Sequence, residues 1–408
     1  MNTSQLPAGV TLDWNLGSAG QTYKVKSMTE THSLNEVILV MTSSTLPVGW
    51  DKADAELPAK GAYSQWVCGP EEFFWMRDIF RPGVLPVCSD VGAGQESFTG
   101  YDVFVTYAIN DEGNLNNPRP FFVAENYVGP GHLGGGIATL GNGDILYSVG
   151  DCSHFGIDGT YPPQINSEHC GKIMRIKNSE TERKYKIVAK GVRNPQQMRI
   201  FRRRGQSLLG FMDIGGATAE EVNAYPLRKI QRTEQIENFG WGRNQEDGKA
   251  REGTFYVGPG NGLKLGSDEP PCEESAPIGE AGFIQPWIQF GRTPTDFFYA
   301  ISSFAVPTKG LDELKLIWSE FNTGMLLGTK QNPKFDGKYK GPARSFKIRL
   351  YDTSLNELKN GLNDLVQEEL GEVGYYRGDP RLFHYPDGSA GVFIERTGVF
   401  YKLTEIML

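Results

Sequence analysis

The chain has 408 residues, of which 39% are apolar and 22% charged, and its 50 Gly and 24 Pro stand beside 7 Trp, 17 Tyr and 23 Phe, a mixture of turn and strand formers that favours an all-β fold. A formal net charge of −8 repels phosphate backbones and excludes a general nucleic-acid binder; the one basic run, Arg202-Arg203-Arg204, reads as a solvated hairpin tip. No stretch approaches the roughly 20 consecutive apolar residues that a membrane-spanning helix needs.

The opening residues, Met1-Asn2-Thr3-Ser4-Gln5, carry no basic segment followed by an apolar one, so no signal peptide is read there. Five cysteines, Cys68, Cys88, Cys152, Cys170 and Cys272, lack CxxC spacing, which argues against a zinc ribbon or a thioredoxin-type motif. Local pairs Cys68–Cys88 and Cys152–Cys170 are expected, leaving Cys272 over; such disulfides imply an oxidising compartment, secreted or periplasmic. Free buried thiols in a cytosolic protein are the alternative.

Along the chain, short alternating apolar runs are separated by Gly-, Asn- and Asp-bearing turns. Residues 137–150, 198–214, 315–328 and 384–403 each read as a hairpin, with Gly141-Asn142-Gly143-Asp144 and Pro386-Asp387-Gly388 placed where positive φ is needed. Repeated hairpin-plus-strand units on so long a chain predict the blades of a single β-propeller domain spanning 1–408. The long insertions 151–170, 240–285 and 329–345 are expected to crowd one end of its central channel. One short inserted helix is predicted near 353–370, where Leu355, Leu358, Leu362, Leu365, Val366 and Leu370 recur at helical spacing.

Three segments carry candidate chemistry. His132 precedes Gly134-Gly135-Gly136 at a strand entrance, where an imidazole and bare backbone can both approach a ligand; such a histidine can take a proton from a hydroxyl, although a structural histidine fits the spacing as well. Next, Arg193-Asn194-Pro195-Gln196 offers a planar fork of donors suited to a carboxylate, an amide, and a proline that fixes the turn. Third, Gly215 and Gly216 lead into Glu220, Glu221 and Asn223, and turn carbonyls beside carboxylates are hard oxygen ligands that suit Ca²⁺; a solvated acidic turn is the bland alternative.

Taken in order, His132-Leu133-Gly134-Gly135, Gly150-Asp151, Gly171-Lys172-Ile173-Met174-Arg175-Ile176, Arg193-Asn194-Pro195, Glu220-Glu221-Val222-Asn223 and Asn238-Phe239-Gly240-Trp241 resemble the glucose/sorbosone dehydrogenase family. The resemblance is concentrated in residues 130–245 and is weaker over 284–328 and 372–403. It implies a six-bladed propeller that binds pyrroloquinoline quinone (PQQ) and Ca²⁺ and oxidises a sugar or related polyol. His132 would be the general base, Arg193 and Asn194 would face the cofactor with Gln196, Lys309 and Asn322, and Gly215, Gly216, Glu220 and Glu221 would hold the calcium.

The departures bear on the reaction. Leu133 stands where the sugar dehydrogenases commonly have Asn, and Ser319-Glu320-Phe321-Asn322-Thr323-Gly324-Met325 contains none of the arginines that the family directs at the PQQ carboxylates. Two other readings keep the scaffold. In one, His132 and Arg193, or a metal held by His132, His154, His169 and Asp151, serve a quinone-free lyase, isomerase or cyclase. In the other, a non-catalytic propeller binds a glycan or a protein. The expected partner is otherwise a small hydroxylated molecule.

Overall fold

The computed structural model describes residues 27–31, 35–43, 48–49, 99–127, 134–151, 162–178, 184–215, 219–232, 234–241, 284, 286–291, 301–309, 311, 313–320, 324–333, 346–352, 357–359, 362, 380–385, 387–394 and 397–404. Two compact units divide the chain, Met1–Ile187 and Val188–Leu408. Among the described residues no helix is long and apolar enough to cross a membrane. Most of the three long insertions lies outside the described residues.

In the first unit, β1 (Ser27–Glu30), β2 (Glu36–Ser43), β3 (Thr99–Ile109) and β4 (Leu115–Tyr127) form an antiparallel meander. A second meander begins with β5 (Ile137–Thr139), β6 (Ile145–Val149), β7 (Lys172–Ile176) and β8 (Tyr185–Lys190), the last running across the division into the second unit. Ile38, Val40, Phe104 and Phe122 of the first sheet pack on Ile145, Tyr147, Met174 and Ile176 of the second. Phe104 sits edge-on to Phe122 and Tyr147, with ring centroids 5.5 and 4.8 Å away, the arrangement aromatic quadrupoles favour. Val37, Leu39, Met41, Val103 and Val105 fill the opposite face of the first sheet. Because β2 is buried on both sides, Val37-Ile38-Leu39-Val40-Met41 is a continuous apolar run rather than an alternating one.

The second unit repeats the pattern. A meander of β9 (Pro195–Arg203), β10 (Gln206–Asp213), β11 (Ala219–Pro226) and β13 (Ile288–Gly291) is followed by one of β14 (Ile301–Ala305), β15 (Leu316–Glu320), β16 (Leu326–Thr329) and β17 (Phe346–Ile348). A three-stranded sheet of β20 (Pro380–His384), β21 (Ala390–Ile394) and β22 (Val399–Leu403) closes the series. Helix α1 (Leu227–Ile230) is a single turn, and β12 (Glu237–Asn238) pairs in parallel with Ala189 and Lys190. Met212, Val222 and Ile288 of the first of these sheets pack on Phe304, Leu316 and Trp318 of the second, and Ala305, Ile317 and Leu326 of the second pack on Leu382, Val392 and Ile394 of the last. Successive antiparallel meanders laid face on face are the repeat from which β-propellers are built.

Three predicted hairpins form, with Ile137 opposite Tyr147, Arg203 opposite Gln206 and Ser319 opposite Leu326. Arg204 and Gly205 make the two-residue turn between β9 and β10 with φ of +46° and +75°, the left-handed pair that a type I′ turn requires. Arg202 and Arg204 are exposed there, as a solvated tip demands. The segment 384–403 divides into more than one hairpin, since β21 pairs with β20 as well as β22.

The helix predicted at 353–370 is corrected at its start. Glu357–Lys359 is strand β19, paired antiparallel with β18 (Leu350–Asp352) in the register Asp352 opposite Glu357. Asp352, Thr353 and Ser354 are residue types that either cap a helix or turn a hairpin; residues 353–356 lie outside the described residues. Leu362 is buried beside Leu314 and Leu382 in the same core cluster; residues 363–370 lie outside the described residues.

Candidate functional site

His132, Gly216, Asn322, His154, Cys68, Cys88, Cys152 and Cys272 lie outside the described residues. The site that can be built is in the second unit, where β8 hands the chain to β9. Gly191, with φ of +69°, turns the backbone, and its carbonyl accepts the Trp241 N–H at 2.8 Å. Arg193 and Asn194 follow, opposite the end of β10, where Asp213 is the register partner of Pro195.

The carboxylate of Asp213 is what fixes this turn. Its oxygens accept the Arg193 backbone N–H at 3.0 and 3.1 Å and the Asn194 N–H at 2.7 Å. Ile214 completes the link: its carbonyl accepts a guanidinium N–H of Arg193 at 2.9 Å, and its own N–H donates to Asn194 O at 3.3 Å. The guanidinium carbon of Arg193 lies 5.3 Å from the Trp241 ring centroid, within cation–π range. A planar cation is thus held on a carbonyl at one edge and an aromatic face beneath. Asn194 and Asp213 are buried, so both backbone donors are satisfied away from water.

The expected calcium set is placed as follows. Glu220 and Glu221 are consecutive in β11, so their side chains point to opposite faces of the sheet. Glu220 is fully buried and accepts the N–H groups of Gly215 and Ile301, each at 3.3 Å. Glu221 stands opposite Asp213 and accepts from Asn223 Nδ2 at 3.4 Å. Gly215 and Glu220 are therefore together, and Glu221 is on the other side. Among the described residues no group of three or more His, Cys, Asp or Glu side chains is arranged to hold a metal. Gln196 is half-buried in β9, opposite Met212. Lys309 is apart from this turn: it bridges in parallel to Ser389, its Nζ lies 3.9 Å from Asp387, and its side chain is 66% exposed.

In the first unit, the glycine run after His132 seats on β6. Gly135 N–H donates to Ser148 O and Gly136 N–H to Ser148 Oγ, at 2.9 and 2.8 Å. At Gly134, with φ of +64°, an added Cβ would fall 2.6 Å from Gly150 N, so only glycine fits. Below lies a buried polar group: Tyr147 donates to Asp102 at 2.5 Å, Lys172 donates to Cys170 O at 2.7 Å, and His169 stands with its ring 5.2 Å from Tyr185. Burial, then the nearby Lys172 charge, pushes the His169 pKa down to about 3, so the imidazole is neutral at physiological pH. Asp151 is fully buried as well.

Asp213 escaped the sequence reading as a site residue because its role is a contact across 19 positions. The signal available was a carboxylate at a strand end, directly before Ile214-Gly215-Gly216. Trp241 entered the sequence reading only within Asn238-Phe239-Gly240-Trp241, one of the segments that carry the family resemblance.

No family model matches the chain, and no curated protein matches it. Among solved structures it is similar to the PQQ-bound form of an aldose sugar dehydrogenase from Streptomyces coelicolor, at 16% identity and a TM-score of 0.42 over 76% of this chain and 75% of that one. A putative oxidoreductase (glucose dehydrogenase) from Thermus thermophilus is similar at 14% identity and a TM-score of 0.37, over 74% and 78% of the two chains. A Trichoderma reesei structure of carbohydrate-active enzyme family AA12 follows at 12% identity and 0.37, over 74% and 77%. These likenesses assign no role to any residue here.

Proposed function

We propose that the protein is a six-bladed propeller oxidoreductase acting on a sugar or related polyol, with Arg193 and Asn194 presented to a carboxylate-bearing quinone cofactor of the PQQ type. The observation that carries this reading is the Arg193 guanidinium fixed between Ile214 O and the Trp241 ring by a turn that Asp213 locks. A pre-set planar fork recognises a carboxylate with little loss of side-chain freedom. PQQ, when bound, would supply the two-electron acceptor for the substrate's carbinol hydrogen. His132 takes the hydroxyl proton in this reading, and Gln196 and Asn322 line the cofactor.

A calcium ion in this reading takes carbonyl oxygens of Gly215 and Gly216 with Glu220 beside them; Glu221 is left out because it occupies the other face of β11. Lys309 is likewise left out, since Asp387 holds it at the surface. The Cys152–Cys170 pair and secretion or a periplasmic location belong to the same proposal.

One observation favours a second reading on the same scaffold. With Lys309 turned to Asp387, and no arginine in 319–325, fewer cations face the cofactor carboxylates than the family resemblance implies. A quinone-free acid–base reaction by His132 and Arg193 needs none of them. Dye reduction by protein reconstituted with PQQ and Ca²⁺, assayed on a panel of aldoses, separates the two. Turnover that disappears in His132→Ala supports the oxidoreductase; absence of dye turnover on every aldose, with an intact fold by circular dichroism, removes it in favour of the second.

A further inference from the structure

A second cationic group in the second unit, Arg199, has only neutral partners among the described residues. Arg199 lies on β9 and reaches the last sheet, where one η nitrogen donates to His384 Nδ1 at 3.1 Å and the other to Leu382 O at 2.8 Å. Guanidinium only donates, so His384 Nδ1 must accept, which leaves the imidazole proton on Nε2; that nitrogen lies 2.9 Å from Val306 O and 3.0 Å from Val306 N, and its proton goes to the carbonyl, so it does not also accept the Val306 N–H. His384 is therefore the neutral tautomer, and both partners of Arg199 are uncharged. Among the described residues Arg199 forms no ion pair, and its Nε is buried without a hydrogen-bond partner. Burying a guanidinium beside neutral acceptors alone leaves most of its desolvation cost standing.

The backbone here is also out of the ordinary. Gln197, two residues before Arg199, has φ of +38° inside a strand, at a register shift opposite Phe211. That bulge turns its amide onto the same neighbours: Nε2 donates to Leu382 O at 2.7 Å and Oε1 accepts the Phe304 N–H. Strained conformers of this kind persist where surrounding contacts over-determine them, and they concentrate at ligand clamps.

We propose that Arg199, backed by His384 and steadied by Gln197, is an oxyanion site that takes a carboxylate or phosphate on the side-on fork formed by Nε and its neighbouring η nitrogen. That edge of a guanidinium is the one that pairs in parallel with two oxygens of a single anion. The site is independent of the quinone reading, because it uses none of the residues assigned to it.

His384 supplies the readout. Burial, then the Arg199 charge, holds its pKa below the ordinary histidine value. An anion that neutralises Arg199 removes the second cause, so the His384 titration moves up. The full chain, labelled with ¹⁵N-histidine, is titrated by NMR with inorganic phosphate and separately with succinate, at matched ionic strength in chloride; His384→Gln assigns the resonance. A saturable upward shift with phosphate identifies an inorganic oxyanion, one with succinate a small carboxylate, and either supports the site. Arg199→Gln is expected to weaken that binding by roughly tenfold or more, as loss of a charge-assisted bidentate pair should. Arg203→Gln, on the same strand but bonded to Lys315 O, is expected to leave it unchanged. A His384 titration in the wild-type chain that neither anion moves overturns the proposal, as does an effect that survives Arg199→Gln.

Discussion

Asp213 accepts the backbone N–H of Asn194 at 2.7 Å, and through that bond the last residue of β10 decides how the turn before β9 presents its side chains. The same carboxylate takes the Arg193 N–H. Asp213→Asn keeps the shape but turns one acceptor into a donor facing these N–H groups. A loss of about 1.5–3 kcal/mol in urea unfolding is expected, the range for hydrogen bonds to a charged group. Arg193→Lys should cost far less stability, and equal losses for the two would contradict the role given to Asp213.

His169 predicts acid sensitivity in the first unit. Its pKa is near 3 in the folded chain and 6.5 when unfolded, a depressed value for a base. Below pH 6.5 the unfolded chain binds a proton that the folded one does not, so stability is full above that pH and falls as pH drops towards 3. The slope from one such proton is about 1.4 kcal/mol per pH unit. Urea midpoints measured from pH 7 to pH 4 should fall less steeply in His169→Gln than in the wild type. Parallel curves would show that the buried imidazole is not the sensor.

Gly134→Ala tests the seat of the glycine run. The added Cβ would meet backbone at 2.6 Å in a left-handed conformation, so a loss of about 1–3 kcal/mol is expected by thermal unfolding. Gly205→Ala provides the contrast, since its Cβ would meet nothing within 4 Å and only the positive φ is penalised. A Gly134 variant as stable as the Gly205 variant would mean that the run does not lie on β6.

Tyr147→Phe removes the 2.5 Å bond to buried Asp102 while keeping the ring packed on Phe104. The expected cost is about 1–3 kcal/mol, from a buried acceptor losing its donor. Unchanged stability would indicate that another donor takes the place of the phenol.

Hairpins were legible wherever turn chemistry bracketed alternating residues, as at Gly141-Asn142-Gly143-Asp144, where Gly143 adopts φ of +87°. The strand Val37–Met41 was not, because burial on both faces erases the alternation that marks a strand. Leucines after Asp352 suggested a helix because their spacing fits one, yet the pairing of Leu350 with Lys359 across the sheet prevailed. At the site, Arg193 and Asn194 could be picked out as a local cluster of donors. Asp213, Ile214 and Trp241, which hold them, are joined to that cluster only by folding.

Direct titration of the protein with PQQ in the presence of Ca²⁺, followed by quinone absorbance, tests the central claim most closely. Saturable binding in the wild type, weakened by roughly tenfold or more in Arg193→Gln, is the predicted result for a bidentate carboxylate contact. Equal affinity in both proteins, or none in the wild type, would contradict the assignment of Arg193 to a quinone.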